Sequence, residues 1–223
     1  STILWDKGRH TLSNHKLVRE ENRADRRSPT DGRRPTVGWR MKGQAMNTAV
    51  VTGADRGLGA ALCAGLLERG WRVAAGQYLP EWPELGALAE RYPDALRIVP
   101  LDVGSTESVR AAAQIAAGWT ERVDLLISNA GIGAGRSQLG QGLDYAAMQR
   151  AFNVNALGAI RMVEAFLPLM ESGLRRLCFV SSEAGCISLS HREGASGYCM
   201  SKTALNMAVR IMHNDLHPDG YTF

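Results

Sequence analysis

From Asn47 onward, short apolar runs alternate with longer stretches whose apolar residues recur every three or four positions. Short runs bounded by turn residues read as buried strands; the longer period reads as amphipathic helix. Strands are expected at Thr48–Thr52, Arg72–Ala75, Leu96–Pro100, Val123–Ser128 and Arg176–Ser181. Helices are expected from Gly57 to Arg69, Pro83 to Arg91, Thr106 to Trp119, Leu143 to Met170 and Tyr198 to Leu216. Pro83 suits a first helical turn because its φ is already fixed there. Ser105 or Thr106 caps the third helix, with Glu107 in the first turn. His217-Pro218-Asp219-Gly220 ends the last helix, and Tyr221–Phe223 again has strand character. Strands alternating with such helices predict an α/β fold: a doubly wound parallel sheet with helices on both faces. Ligands of such sheets sit beyond the carboxyl ends of the strands, so the chemistry is expected just after each strand.

Residues 1–45 break this pattern. Arg19 to Arg34 is nearly all charged or turn-forming and cannot bury enough apolar surface to offset the entropy of ordering. The stretch reads as a disordered or non-native leader, with Met46 or Met41 as candidate starts. It also owns the basicity of the chain. It holds 3 Lys and 8 Arg against 5 acidic residues, so a net of +4 for the whole chain becomes +6 for the leader and −2 for residues 46–223. A polybasic tail for anionic partners is the alternative reading of 1–45. The body itself offers nothing for a polyanion, and no nucleic-acid partner is expected. No apolar run approaches the ~20 residues that cross a bilayer, so no membrane partner is expected either. Cys63, Cys178, Cys186 and Cys199 have neither disulfide-framework nor zinc spacing. Reduced thiols fit a cytoplasmic protein.

The strand ends carry the candidate chemistry. Thr52-Gly53-Ala54-Asp55-Arg56-Gly57-Leu58-Gly59 follows the first strand. Glycines there let the backbone turn sharply and approach a pyrophosphate at a helix N-terminus. A Gly-rich turn without a ligand is the plainer alternative. After the second strand, where an NAD enzyme places an acidic residue on the ribose, stand Gln77 and Tyr78. No carboxylate repels a 2′-phosphate there, and Arg56 can pair with one. The expectation is NADP(H) over NAD(H), the alternative for Arg56 being a solvated turn residue. Asp102-Val103 ends the third strand; the carboxylate either accepts from an adenine amino group or caps the next helix. Asn129-Ala130-Gly131 ends the fourth, where small residues admit a cofactor and the Asn ties neighbouring strands.

Tyr198 and Lys202 lie four residues apart, hence on one helix face. A phenol is a poor acid or base near neutrality, and a nearby ammonium favours its ionised form. Lys202 is the single Lys in residues 46–223, against 14 Arg. One Lys at that spacing, in a body that otherwise uses Arg, points to a specific need for an ammonium. Ser181-Ser182 ends the fifth strand, where a hydroxyl can bond a substrate carbonyl or serve as a turn residue. Asn155 interrupts the long helix with a poor interior helix former, marking either a distortion at the site or a solvated side chain.

Together, these residues resemble the short-chain dehydrogenase/reductase family. The glycine turn, Asp102, Asn129-Ala130-Gly131, Asn155, Ser182 and Tyr198-x3-Lys202 follow that family's order at similar spacing. The resemblance covers about residues 47–223. It implies a Rossmann-type fold, a nicotinamide cofactor held by Gly53, Arg56, Gly57, Leu58, Gly59, Asp102, Val103, Asn129, Ala130, Gly131, Tyr198 and Lys202, and a catalytic set of Asn155, Ser182, Tyr198 and Lys202. No metal is expected. Ser182 is preferred to Ser181 because the family uses the second of such a pair. The gap from Ser182 to Tyr198 exceeds the family's usual one, and the surplus falls in Ser188–Gly197, a loop that includes His191 and is expected to shape the substrate pocket. That loop, Ser182-Glu183-Ala184-Gly185 and Ala204-Leu205-Asn206-Met207 look like the branch of sniffer-like and C-factor-like carbonyl reductases.

The family continues beyond Pro218-Asp219-Gly220 with further strands and a substrate lid, so the chain reads as C-terminally truncated, its last strands missing. The complete form is expected to be a homo-oligomer acting on a small-molecule carbonyl or alcohol. The expected reaction is hydride transfer between nicotinamide and that substrate, with Tyr198 as acid/base. The alternative is a redox-sensing or signalling protein that binds NADPH without significant turnover.

Overall fold

The structure, a computed structural model, describes residues 46–223; the leader assigned to residues 1–45 lies outside them. Five parallel strands stand in the order β3-β2-β1-β4-β5. They are β1 (Thr48–Val51), β2 (Arg72–Gln77), β3 (Leu96–Pro100), β4 (Leu125–Ser128) and β5 (Arg176–Phe179). The helices are α1 (Gly57–Glu68), α2 (Glu84–Arg91), α3 (Thr106–Ala117), α4 (Tyr145–Phe152), α5 (Gly158–Met170) and α6 (Ser196–Leu216). This is the expected doubly wound α/β sheet. Its chain reverses direction of travel between β1 and β4, which opens a crevice at the carboxyl ends of those two strands.

The period of two along each strand sorts the core onto two faces. Val50, Ala74, Val99, Leu126 and Leu177 face Val109 and Ala112 of α3 and Met162, Phe166 and Met170 of α5. Val51, Val73, Ala75 and Ile127 face Cys63 and Leu67 of α1 and Leu85 of α2. Because both faces are covered, the strands read as near-continuous apolar runs rather than as alternating ones.

The expected helix from Leu143 to Met170 is not one helix. Asp144 caps α4 by accepting from Ala147 N at 2.8 Å, and a π-helical turn, Asn153–Leu157, separates α4 from α5. Asn155 lies in that turn, so the polar interruption in the apolar pattern marked a real break. Ser105, not Asp102 or Thr106, caps α3: its Oγ accepts from Ser108 N at 3.2 Å. At the far end of the molecule, Thr222 forms a parallel bridge with Arg176, in keeping with the strand character of Tyr221–Phe223.

Candidate active site

The turn after β1 is shaped by what its glycines lack. Gly53 adopts φ +60°, and a Cβ on it would stand 2.9 Å from the Ala130 Cα. A Cβ on Gly59 would stand 2.0 Å from the Gly53 carbonyl oxygen. Arg56 occupies the cap position of α1 in extended conformation, and no side chain among the described residues caps the helix. Those amides are open to an anion.

Two hydrogen-bond sets lock this turn to its neighbours. The Thr52 hydroxyl accepts from Asn129 N and Ala130 N at 3.0 and 2.9 Å. The Asn129 amide donates to the Thr52 and Gly53 carbonyls at 2.9 and 3.0 Å. Asn129 thus ties β4 to β1, as the sequence suggested. Asp55 does the same toward β2: its buried carboxylate accepts from Tyr78 N and Leu79 N at 2.7 and 2.9 Å. Sequence reasoning missed Asp55. An Asp among turn glycines looks ordinary, and its partners are 23 and 24 residues away.

The result is a cavity of about 580 Å³ whose walls include the glycine turn with Leu58, Asp102-Val103 and Asn129-Ala130-Gly131. Arg56 lies at its edge with its guanidinium 4.8 Å from the Trp82 ring centroid, a cation–π contact. Asp102 uses one oxygen to accept from Gly104 N at 2.7 Å. No described residue bonds the other. The wall carrying Asp102 is held by two further residues that the sequence did not flag. Asn153 donates to the Gly104 carbonyl at 2.9 Å, and Arg161 donates to Val103 O and to Asn153 Oδ1 at 3.2 and 2.7 Å. A dinucleotide fits this cavity: it finds tight glycines, free amides at a helix N-terminus and a carboxylate at the third strand end.

Asn155, Tyr198 and Lys202 meet at the start of α6. Lys202 is buried, and its Nζ donates to the Val180 carbonyl at 2.8 Å. That Nζ lies 5.9 Å from the Tyr198 ring centroid. Burial pushes the Lys202 ammonium below the usual lysine range. Asn155 is also buried. Its Oδ1 accepts from Ile132 N at 2.8 Å, and its Nδ2 donates to Ile132 O and to the Ser201 hydroxyl, both at 2.9 Å. Ser201 donates in turn to the Tyr198 carbonyl at 2.7 Å. Asn155 therefore joins the loop after β4 to the turn of α6 that carries Tyr198.

The two serines differ. Ser181 spends its proton on Asn206 Oδ1 at 2.6 Å, whereas Ser182 only accepts, from Ala184 N at 3.2 Å. The Ser182 hydroxyl keeps a proton to donate. Tyr198 does not border the large cavity. It borders a second one, of about 440 Å³, and the Gly131–Gly133 stretch runs from one to the other.

The family model for short chain dehydrogenases matches residues 47–222. The chain belongs to that family. C-signal of Myxococcus xanthus is 48% identical to this chain over 103 residues, which are 46% of this chain and 61% of that protein. The chain therefore spans less than two thirds of C-signal. NADPH-bound carbonyl reductase from chicken fatty liver superposes with a TM-score of 0.71 at 28% identity, over 80% of this chain and 77% of that one. Carbonyl reductase Sniffer of D. melanogaster reaches a TM-score of 0.74 at 23% identity, over 80% and 78%, a likeness of fold alone. Among the described residues, no helix is long and apolar enough to cross a membrane, and no His, Cys, Asp and Glu cluster could hold a metal ion.

Proposed function

We propose that this short-chain dehydrogenase interconverts a small carbonyl compound and its alcohol, with a preference for NADP(H). The observation that carries the reading is the pairing of Tyr198 with a buried Lys202 on one face of α6, at a cavity that the Gly131–Gly133 stretch joins to the glycine-turn cleft. When bound, the cofactor supplies or accepts a hydride.

The chain's own residues do the rest. Gly53, Gly57 and Gly59 let the backbone close on the pyrophosphate, with Leu58 on the turn between them. Asp102 and Val103 hold the adenine, and Asn129, Ala130 and Gly131 form the opposite wall. Ser182 donates to the substrate oxygen. Tyr198 gives that oxygen a proton in reduction and takes it back in oxidation. Lys202, held by Val180 O, keeps a positive charge near the phenol. Asn155 positions Tyr198 through Ser201. The preference for NADP(H) rests on Arg56 and on the lack of a carboxylate at Gln77-Tyr78. A cytoplasmic setting and a homo-oligomeric complete enzyme belong to the same reading, with residues 1–45 as a leader preceding the dinucleotide-binding domain in sequence.

Tyr198→Phe is the test. Assayed by NADPH oxidation over a panel of aldehydes and ketones, it is expected to lower kcat by about 10²–10⁴-fold with NADPH binding kept. Undiminished turnover removes Tyr198 from the role. The Myxococcus relative's name, C-signal, favours a second reading, in which the bound cofactor serves signalling. Tight NADPH binding with no turnover on any carbonyl supports that one instead.

A further inference from the structure

The 440 Å³ cavity beside Tyr198 is lined, among the described residues, by Arg136 and Arg192 and by no carboxylate. The two arginines come from different loops, 133–142 after β4 and 190–195 before α6. The loops are fastened together. Gln138 Nε2 donates to Glu193 Oε2 at 3.1 Å. Gly194, at φ +71°, packs so closely that a Cβ on it would stand 2.5 Å from the Arg136 carbonyl oxygen. Arg136 is therefore held at the cavity by its backbone, while its guanidinium has no ion-pair or hydrogen-bond partner among the described residues. Arg192 pairs with Glu183, whose side chain is 75% exposed. The hydrogen bond and charge of Glu183 hold the Arg192 guanidinium above the usual arginine range.

A guanidinium is a planar fork of donors matched to a carboxylate or phosphate. Two of them around one pocket, one without a partner among the described residues and one with an exposed, displaceable partner, make a rim that attracts an anion toward the acid/base phenol. A neutral substrate would leave that charge unused. We infer that the substrate carries an anionic oxygen group, a carboxylate or a phosphate, in addition to the carbonyl or alcohol, with Arg136 as its principal contact and Arg192 as its second. This rests on the reading of Tyr198 as the acid/base group.

Binding isolates the inference from turnover. The 223-residue chain, saturated with NADPH, is titrated calorimetrically with 4-(hydroxymethyl)benzoate, 4-(hydroxymethyl)phenyl phosphate and methyl 4-(hydroxymethyl)benzoate. At least one anion is expected to bind about tenfold tighter than the neutral ester, and the tighter of the two names the group. Arg136→Gln is expected to bring the anions within about threefold of the ester, and 0.5 M salt to narrow the gap likewise. Equal binding of all three, binding of neither anion, or a preference that survives in both Arg136→Gln and Arg192→Gln overturns the inference. Turnover of neutral carbonyls with loss in Tyr198→Phe would then leave the catalytic reading standing. Failure of that variant to lose activity would instead remove the reading beneath it.

Discussion

Arg56 is the residue on which the cofactor preference turns. Its side chain is exposed, and among the described residues the Trp82 ring is its one contact of this kind. A charge-assisted pair with a 2′-phosphate at such a position is worth about 1.4 kcal/mol, or tenfold in affinity. Arg56→Ala is therefore expected to weaken NADPH binding about tenfold and to leave NADH binding unchanged. Equal weakening of both would make Arg56 a structural residue of the turn. Cys63 shows the opposite use of a titratable group. It is fully buried under α1, and burial pushes its thiol up to about 12 from an ordinary 9.0. The unfolded chain sheds that proton above about pH 9 while the folded one keeps it, so the native state binds more protons there. The stabilisation is complete below pH 9 and declines as pH rises toward 12. Urea unfolding at pH 8 and at about pH 10.5 is expected to show a smaller decline in Cys63→Ala than in the parent chain. An equal decline would place the thiol in contact with solvent.

At the scale of elements, the π-helical turn between α4 and α5 sets the site. It turns Asn155 inward to bind both backbone groups of Ile132 and the Ser201 hydroxyl. Asn155→Ala leaves buried groups without partners and is expected to cost about 3 kcal/mol. An unchanged urea midpoint would contradict this. The sequence made Asn155 conspicuous because a polar residue broke an apolar helical pattern. The strands, the helices and the glycine turn were equally legible, since each is written in local periodicity and turn chemistry. Asp55, Asn153 and Arg161 were not. Each acts on backbone groups far along the chain, and nothing beside them in sequence marks the partner. Asp124 is the extreme case. It is fully buried at the amino ends of the strands, where it accepts from Thr48 N, 76 residues away, at 2.9 Å and from Leu174 N at 3.2 Å. The π turn was legible only as a break at Asn155; its type was not, because an added residue in a helix leaves the apolar period almost intact.

For the whole molecule, the charge and the chemistry separate cleanly. The body is mildly acidic, yet three of its arginines line the two cavities: Arg56 the large one and Arg136 and Arg192 the small one. The glycine turn, the Thr52–Asn129 lock and the Asp55 clasp converge on one crevice between β1 and β4. That convergence makes dinucleotide binding the property on which the rest depends. The direct measurement is calorimetric titration of the folded 223-residue chain with NADPH. Saturable binding of one NADPH per chain, retained in Tyr198→Phe and lost when Gly59 is replaced by Val, is the predicted result. A folded chain that takes up no NADPH, or that binds it equally well with Val at position 59, would contradict it.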